Sequence, residues 1–144
     1  CDTRNDILLR DLTAEVVEDD CRVLSGTLLD PYTGQAITFL RGQDTSSEVQ
    51  IDHVVALLNG WETGAQQLSY DTRVRFANDP LNLLAVDGRT NSQKGAGDAA
   101  TWLPPATSYR CEYVSRQVQV KARYGLWVTQ AEHNTVVRVL SACQ

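Results

Sequence analysis

The chain switches repeatedly between two hydrophobic periods, and the switches mark out its elements. Ile7, Leu8 and Leu12 recur at helical spacing and Asp2 or Thr3 can cap them, which predicts a helix over 2–13. From Cys21 to Leu29 the pattern becomes strand alternation. Asp30-Pro31-Tyr32-Thr33-Gly34 supplies turn residues and Ala36 to Leu40 a return strand, so 21–40 reads as a hairpin. Residues 41–48 are polar and form a loop. Val49 to Leu58 is apolar-rich and opens with the alternation Val49-Gln50-Ile51-Asp52; Gly60 breaks it. A weak helical pattern over 61–79 ends before Pro80. Leu83 to Val86 is a short buried strand, Asp87-Gly88 a turn signal, 89–95 a short helix closed by Gly95, and 95–105 a loop.

Two stronger helices finish the chain. In the first, Cys111, Val114, Val118 and Ala122 make one apolar face and Gly125 is placed to stop it. The second opens with the capping box Thr129-Gln130-Ala131-Glu132 and carries Val136, Leu140 and Cys143 on one face. The fold class predicted is α+β: an N-terminal helix and β-hairpin, a central strand–strand–helix unit over about 49–95, and two C-terminal helices.

At 144 residues the chain is expected to be one domain spanning 1–144, long enough to bury about 70% of its unfolded surface. No apolar run approaches the ~20 residues of a membrane span. The sequence shows no signal-peptide pattern, but Cys1 is an odd first residue, so a mature or trimmed form is expected and the lack of a signal says little about export. The net charge of −5 is uneven: residues 1–50 hold 10 acids and 4 bases, residues 51–144 hold 8 acids and 9 bases. The acidic part is a poor phosphate binder, whereas the rest is not acidic and offers Arg89 and Lys94 among its bases.

The four cysteines, Cys1, Cys21, Cys111 and Cys143, form no CxxC pair and lack histidines at zinc spacing. Two disulfides and an oxidising compartment fit them, four buried thiols being the alternative. Three pairings are possible; Cys1–Cys21 and Cys111–Cys143 are favoured because each pair lies within one terminal segment. Trp61, Trp102 and Trp127 are expected to pack in the core rather than to stack on bases. His133, on the last helix without acidic or Asn partners in pattern, is expected at the surface.

The candidate chemistry lies in residues 52–94. Asp52-His53 closes one strand, Asn82 precedes the next, and Asn91 and Lys94 lie on the helix that follows. This order brings the end of the first strand beside the helix, so Asp52, His53 and Asn91 can converge. A carboxylate and an amide oxygen can hold a hard divalent cation, and an imidazole can take a proton from water near neutral pH. Asn82 can bond backbone groups and brace the loop that presents His53. Each residue also has a plainer reading: a buried histidine, a turn-capping aspartate, a helix-start asparagine.

The set Asp52-His53-Val54-Val55, Asn82-Leu83, Asn91 and Lys94-Gly95 resembles the HNH, or ββα-metal, nucleases. Further blocks, Cys1-Asp2-Thr3-Arg4-Asn5-Asp6, Asp30-Pro31-Tyr32-Thr33-Gly34, Asn78 to Val86 and Ala100 to Pro105, resemble secreted actinobacterial proteins of the branch related to the C-terminal part of modification-dependent restriction endonucleases. The resemblance implies roles. His53 would be the general base, Asp52 and Asn91 ligands of one divalent ion (Mg²⁺ first, Mn²⁺ second), Asn82 a mainly structural member, and Lys94 a basic group close to the scissile phosphate. Arg4, in a shared block, and Arg89 are candidate phosphate contacts, with a structural salt bridge at least as good a reading for Arg4. The zinc-bearing branches have extra CxxC pairs that this chain lacks, so no structural zinc is expected.

The expectation is therefore a secreted, monomeric, metal-dependent endonuclease that cuts DNA, and RNA as a second candidate substrate. It would leave 5′-phosphate and 3′-hydroxyl ends and show little sequence preference, since no base-reading module is evident. The rivals are a non-catalytic nucleic-acid- or metal-binding module on the same scaffold and an extracellular structural domain held by disulfides.

Overall fold

The computed structural model describes residues 1–42 and 46–143. Helix α1 (Thr3–Asp11) is capped by Asp2, whose side chain accepts from the Asn5 amide at 2.8 Å. It is followed at once by β1 (Leu12–Glu18), which pairs antiparallel with β2 (Arg22–Leu29), and β2 pairs with β3 (Ala36–Leu40). The expected hairpin is thus two strands of a three-stranded sheet. Strand β1 shows no clean alternation because Ala14 adopts φ 53° and the register slips on both sides of Val16, so only Leu12 is fully buried. Its turn uses Asp19 and Asp20, both at positive φ, where Asn-Gly would have been the legible signal.

Of the polar loop expected over 41–48, residues 43–45 lie outside the described residues, and Ser46–Glu48 form a 3-10 turn. Strand β4 (Val49–His53) then pairs antiparallel with β5 (Leu83–Asp87), setting Asp52 opposite Leu84 and His53 opposite Leu83. Between them the chain makes α2 (Leu57–Glu62) and α3 (Tyr70–Asn78), so the single weak helix predicted over 61–79 is divided. Gly60 is not a breaker. It lies inside α2 with the Phe76 ring against it, only 2.7 Å from where a Cβ would stand.

Asp87 is likewise a cap rather than a turn. Its carboxylate accepts from the amide and hydroxyl of Thr90 at 3.0 and 2.5 Å and starts α4 (Gly88–Lys94), which Gly95 closes at φ 55°. The last helices are α5 (Arg110–Tyr124), stopped by left-handed Gly125, and α6 (Gln130–Ser141). Thr129 caps α6, but Glu132 reaches Lys121 at 3.0 Å instead of returning to the cap, so half of the expected box forms. The buried face of α5 is Tyr113, Val114, Gln117, Val120 and Lys121, whereas the expected Val118 and Ala122 face outward. Gln117 and Lys121 can point inward because Val54 O accepts from the amide and Glu132 from the ammonium.

Strand β5 lies between two apolar clusters and is buried on both faces. Leu83 and Ala85 join Ile7, Leu8, Val23, Leu28 and Phe39, while Leu84 and Val86 join Tyr32, Val54, Tyr113 and Val114. Disulfides Cys1–Cys21 and Cys111–Cys143 tie α1 to β2 and α5 to α6, in the favoured pairing. Trp102 packs edge-on against Tyr32 and Tyr113 as a core residue should. Trp61 and Trp127 do not: they are 47% and 48% exposed. Among the described residues, no helix is long and apolar enough to cross a membrane.

Candidate active site

The ββα unit of β4, β5 and α4 assembles the site through two matched spacings. Gln50 and Asp52, two apart, share one face of β4. Asn91 and Lys94, three apart, share one side of α4. The helix runs over the strand so that Asn91 Nδ2 donates to Gln50 Oε1 at 2.9 Å and Lys94 Nζ donates to Asp52 Oδ2 at 2.6 Å. His53, the next residue, finds its partner on α3. Ala77 is next to last in that helix and its carbonyl has no intrahelical donor; the His53 Nε2 lies 2.8 Å from it.

That contact decides the tautomer. A carbonyl can only accept, so Nε2 carries the proton and Nδ1 of the neutral ring keeps a lone pair. Among the described residues, no hydrogen bond is made to His53 Nδ1, Asp52 Oδ1 or Asn91 Oδ1. All three residues line one cleft of about 340 Å³, with Ile51, Ala56, Leu57, Leu58, Gly95 and Ala96. The two oxygens are hard donors of the kind Mg²⁺ takes when the remaining positions go to water and substrate phosphate, so the residues fit such an ion. Among the described residues no group of three or more His, Cys, Asp or Glu is placed to hold a metal ion.

Asp52 is held from two sides. The Tyr32 hydroxyl, reaching in from the turn between β2 and β3, donates to Oδ2, the oxygen that Lys94 also binds. Burial, then the Asp52 charge, pushes the Tyr32 phenol well up, so it stays a donor. The Lys94 side chain has no exposed surface, and its ammonium also donates to His53 O at 2.7 Å and Val54 O at 3.1 Å. Burial pulls the Lys94 ammonium below its ordinary value, with Asp52 opposing.

These contacts correct the position expected of Lys94. Its three protons are spent inside the protein on one carboxylate and two carbonyls, so it is not aimed at a phosphate. Asn82 does not face the cleft either. Fully buried, it accepts from Val55 N at 2.7 Å and donates to Val55 O at 3.1 Å, and its own carbonyl accepts from Val54 N at 2.8 Å. It clamps the segment that leaves His53. Arg4 is also placed elsewhere: it donates to Val49 O at 3.3 Å, at the far end of β4, with its guanidinium 6.0 Å from the Phe39 ring centroid. Arg89 is exposed on α4 and does not line the cleft. His133 is exposed, as expected.

Three partners escape a reading of the motif alone: Tyr32, Gln50 and the Ala77 carbonyl. Gln50 carried a signal, being two residues before Asp52 on the same strand face. Tyr32 lies in the Asp30–Gly34 turn block, whose pattern marks a turn but not its target. The Ala77 carbonyl has no sequence signature. A larger groove of about 780 Å³, lined by Asp71, Arg75, Asp79, Arg123 and Tyr124, has none of the residues of this cleft in its lining.

Residues 2–139 match the family of GmrSD restriction endonucleases, C-terminal domain, and the chain belongs to that family. It is 39% identical over 145 residues to an uncharacterized secreted protein of Arthroderma benhamiae (strain ATCC MYA-4681 / CBS 112371), covering 99% of this chain and 68% of that protein. No solved structure matches it.

Proposed function

We propose that the chain is a secreted, metal-dependent endonuclease that hydrolyses phosphodiester bonds of DNA, with RNA as a second substrate and with little sequence preference. One observation carries this reading: the Ala77 carbonyl fixes the proton of His53 on Nε2, which leaves Nδ1 free in the cleft that Asp52 and Asn91 also line. His53 Nδ1 takes the proton of an attacking water. Asp52 Oδ1 and Asn91 Oδ1 would hold one divalent ion, Mg²⁺ or Mn²⁺, which when bound supplies charge stabilisation at the phosphate and the leaving oxygen. Asn82 and Lys94 act by position, one clamping the segment after His53 and the other orienting Asp52. Because Lys94 offsets the charge of Asp52, the ion is held weakly by the protein alone and more tightly with substrate phosphate present.

Disulfides belong to an oxidising compartment and the Arthroderma relative is secreted, in keeping with an exported protein. We place it with the secreted, actinobacterial-type branch of its family, as a monomeric single domain. Exposed Arg89 on α4 is kept as a phosphate contact; Arg4 is not. The rival reading, a non-catalytic nucleic-acid- or metal-binding module, draws on the same Lys94–Asp52 pairing, which lowers the charge available to a metal.

A plasmid digest with Mg²⁺, Mn²⁺ or chelator, run with wild type and His53→Ala, separates them. Wild type should cut with either metal and stop with chelator. The variant should lose about 10²–10⁴-fold in rate while keeping its circular dichroism. Cutting by the variant at the wild-type rate would remove His53 from the role of base, and no cutting by wild type would favour the binding module.

A further inference from the structure

The sequence placed Trp61 in the core, but it is about half exposed on α2, the helix whose first residues line the cleft. Leu57 and Leu58, at the start of α2, line the cleft with His53 and Asn91. Trp61 follows three and four residues later, one helical turn or ~5 Å along the same side. The three side chains are 47%, 53% and 47% exposed. The guanidinium of Arg73 on α3 lies 5.7 Å from the indole centroid and is anchored by donating to Leu68 O at 3.1 Å. A lone exposed aromatic would need no explanation. This one lies one helical turn from the cleft-lining Leu57 and Leu58, on the same helix, with a cation against its ring.

Every nucleobase has a π face, so an exposed aromatic beside a phosphate-handling cleft binds unpaired bases without reading their sequence. Bases within a duplex are already paired and stacked, and extracting one costs a few kcal/mol. We propose that Trp61, with Leu57 and Leu58 beside it, forms a stacking subsite for an unpaired nucleobase next to the scissile phosphodiester, which makes single-stranded or locally unpaired nucleic acid the preferred substrate class. The inference rests on the reading of the cleft as a phosphodiesterase site. Exposed Glu62 and Asp71 offset Arg73 and Arg75 in this region, so stacking supplies more of the subsite's affinity than counterion release does.

The test is fluorescence anisotropy of labelled oligo(dT), oligo(rU) and a DNA duplex, in chelator so that nothing is cut. Wild type, Trp61→Ala and Trp61→Phe are compared at low and at moderate salt. Trp61→Ala should weaken single-strand binding roughly five- to hundredfold, Trp61→Phe by no more than about threefold, and duplex binding should not change. The ratio of wild type to Trp61→Ala should persist as salt rises. The dT and rU arms tell DNA from RNA. Cleavage of single strands by Trp61→Ala should show a raised KM at unchanged kcat. Equal binding of oligo(dT) and oligo(rU) by Trp61→Ala and wild type overturns the subsite while leaving a nuclease that cuts plasmid intact. A wild type that binds neither single strand nor duplex, and cuts neither, overturns the reading of the cleft as well.

Discussion

Replacing Lys94 by methionine asks whether this lysine serves the substrate or the fold. Methionine keeps most of the apolar stem and removes the ammonium, which makes three hydrogen bonds, to Asp52 Oδ2, His53 O and Val54 O. The side chain of Lys94 is 0% exposed and that of Asp52 7%, so at Oδ2 the variant leaves only the Tyr32 hydroxyl to offset the carboxylate charge. Breaking a buried pair by deleting one partner costs about 3–5 kcal/mol, because the other charge stays buried alone. Small domains have about 5–15 kcal/mol in total. Urea unfolding at pH 7 should therefore show Lys94→Met destabilised by about 3–5 kcal/mol. Adding Asp52→Asn removes the stranded charge while leaving an oxygen for the Tyr32 hydroxyl, and the double variant should recover more than about 1 kcal/mol of that loss. A Lys94→Met protein within about 1 kcal/mol of wild type, with the salt slope of nucleic-acid binding reduced by about one, would refute the argument and return Lys94 to the phosphate.

Asn82→Ala leaves the amide and carbonyl of Val55 without their side-chain partners in a buried segment, at a cost of about 1–3 kcal/mol; a thermal melt should show the loss, and cleavage should fall because His53 is no longer held. The carboxyl of Asp79 is raised by burial, but hydrogen bonds from Tyr124 and Arg123 outweigh that and hold it below its ordinary value. The stability it contributes is present in full above the unfolded carboxylate range near ~4 and is lost as the pH falls through the lower folded value. Asp79→Asn should therefore differ from wild type by about 1 kcal/mol in urea unfolding at pH 7, and the gap should close as the pH falls below that range; a gap that widens in acid would show the opposite linkage.

The legible parts of the fold are those that local chemistry decides. Strand β2 with its return strand β3, the last helices and both disulfides follow from alternation and a turn, a left-handed glycine stop and cysteine placement. Strand β1 was hidden because a backbone irregularity at Ala14 and Val16 erases the period that marks a strand. Motif spacing marked Asp52, His53, Asn82 and Asn91, and the structure brings all of them except Asn82 to one cleft, with Asn82 behind it. Spacing alone could not tell whether the Lys94 ammonium points outward or in. The pairing of two registers does: once Asn91 lies over Gln50, the residue one helical turn later lies over Asp52. Trp61 was misjudged for a different reason. Tryptophan in a small domain usually packs, and only tertiary placement shows that the surface of α2 beside the cleft is left open.

The three-stranded sheet shapes the candidate site through one carboxylate that never touches it. Asp30 is fully buried, and Oδ1 accepts from the amides of Tyr32 at 3.2 Å and Asp87 at 3.0 Å. Oδ2 accepts from the amide and hydroxyl of Thr33 at 3.0 and 2.5 Å. Tyr32 belongs to the turn between β2 and β3, while Asp87 ends β5 and caps α4. A single side chain therefore sets the turn that delivers the Tyr32 hydroxyl against the helix that delivers Lys94. Both donors meet at Asp52 Oδ2, which consumes that oxygen and leaves Oδ1 for the cleft. A fully buried carboxylate with four donors is costly to disturb, because removing it leaves the buried amide of Tyr32 without a partner and frees the turn and the α4 cap together. The orientation of Asp52 is in this way set in part from outside the ββα unit, by Tyr32 and the Asp30 that holds its turn, which gives a physical reason for the unit to be embedded in a larger fold rather than to stand alone.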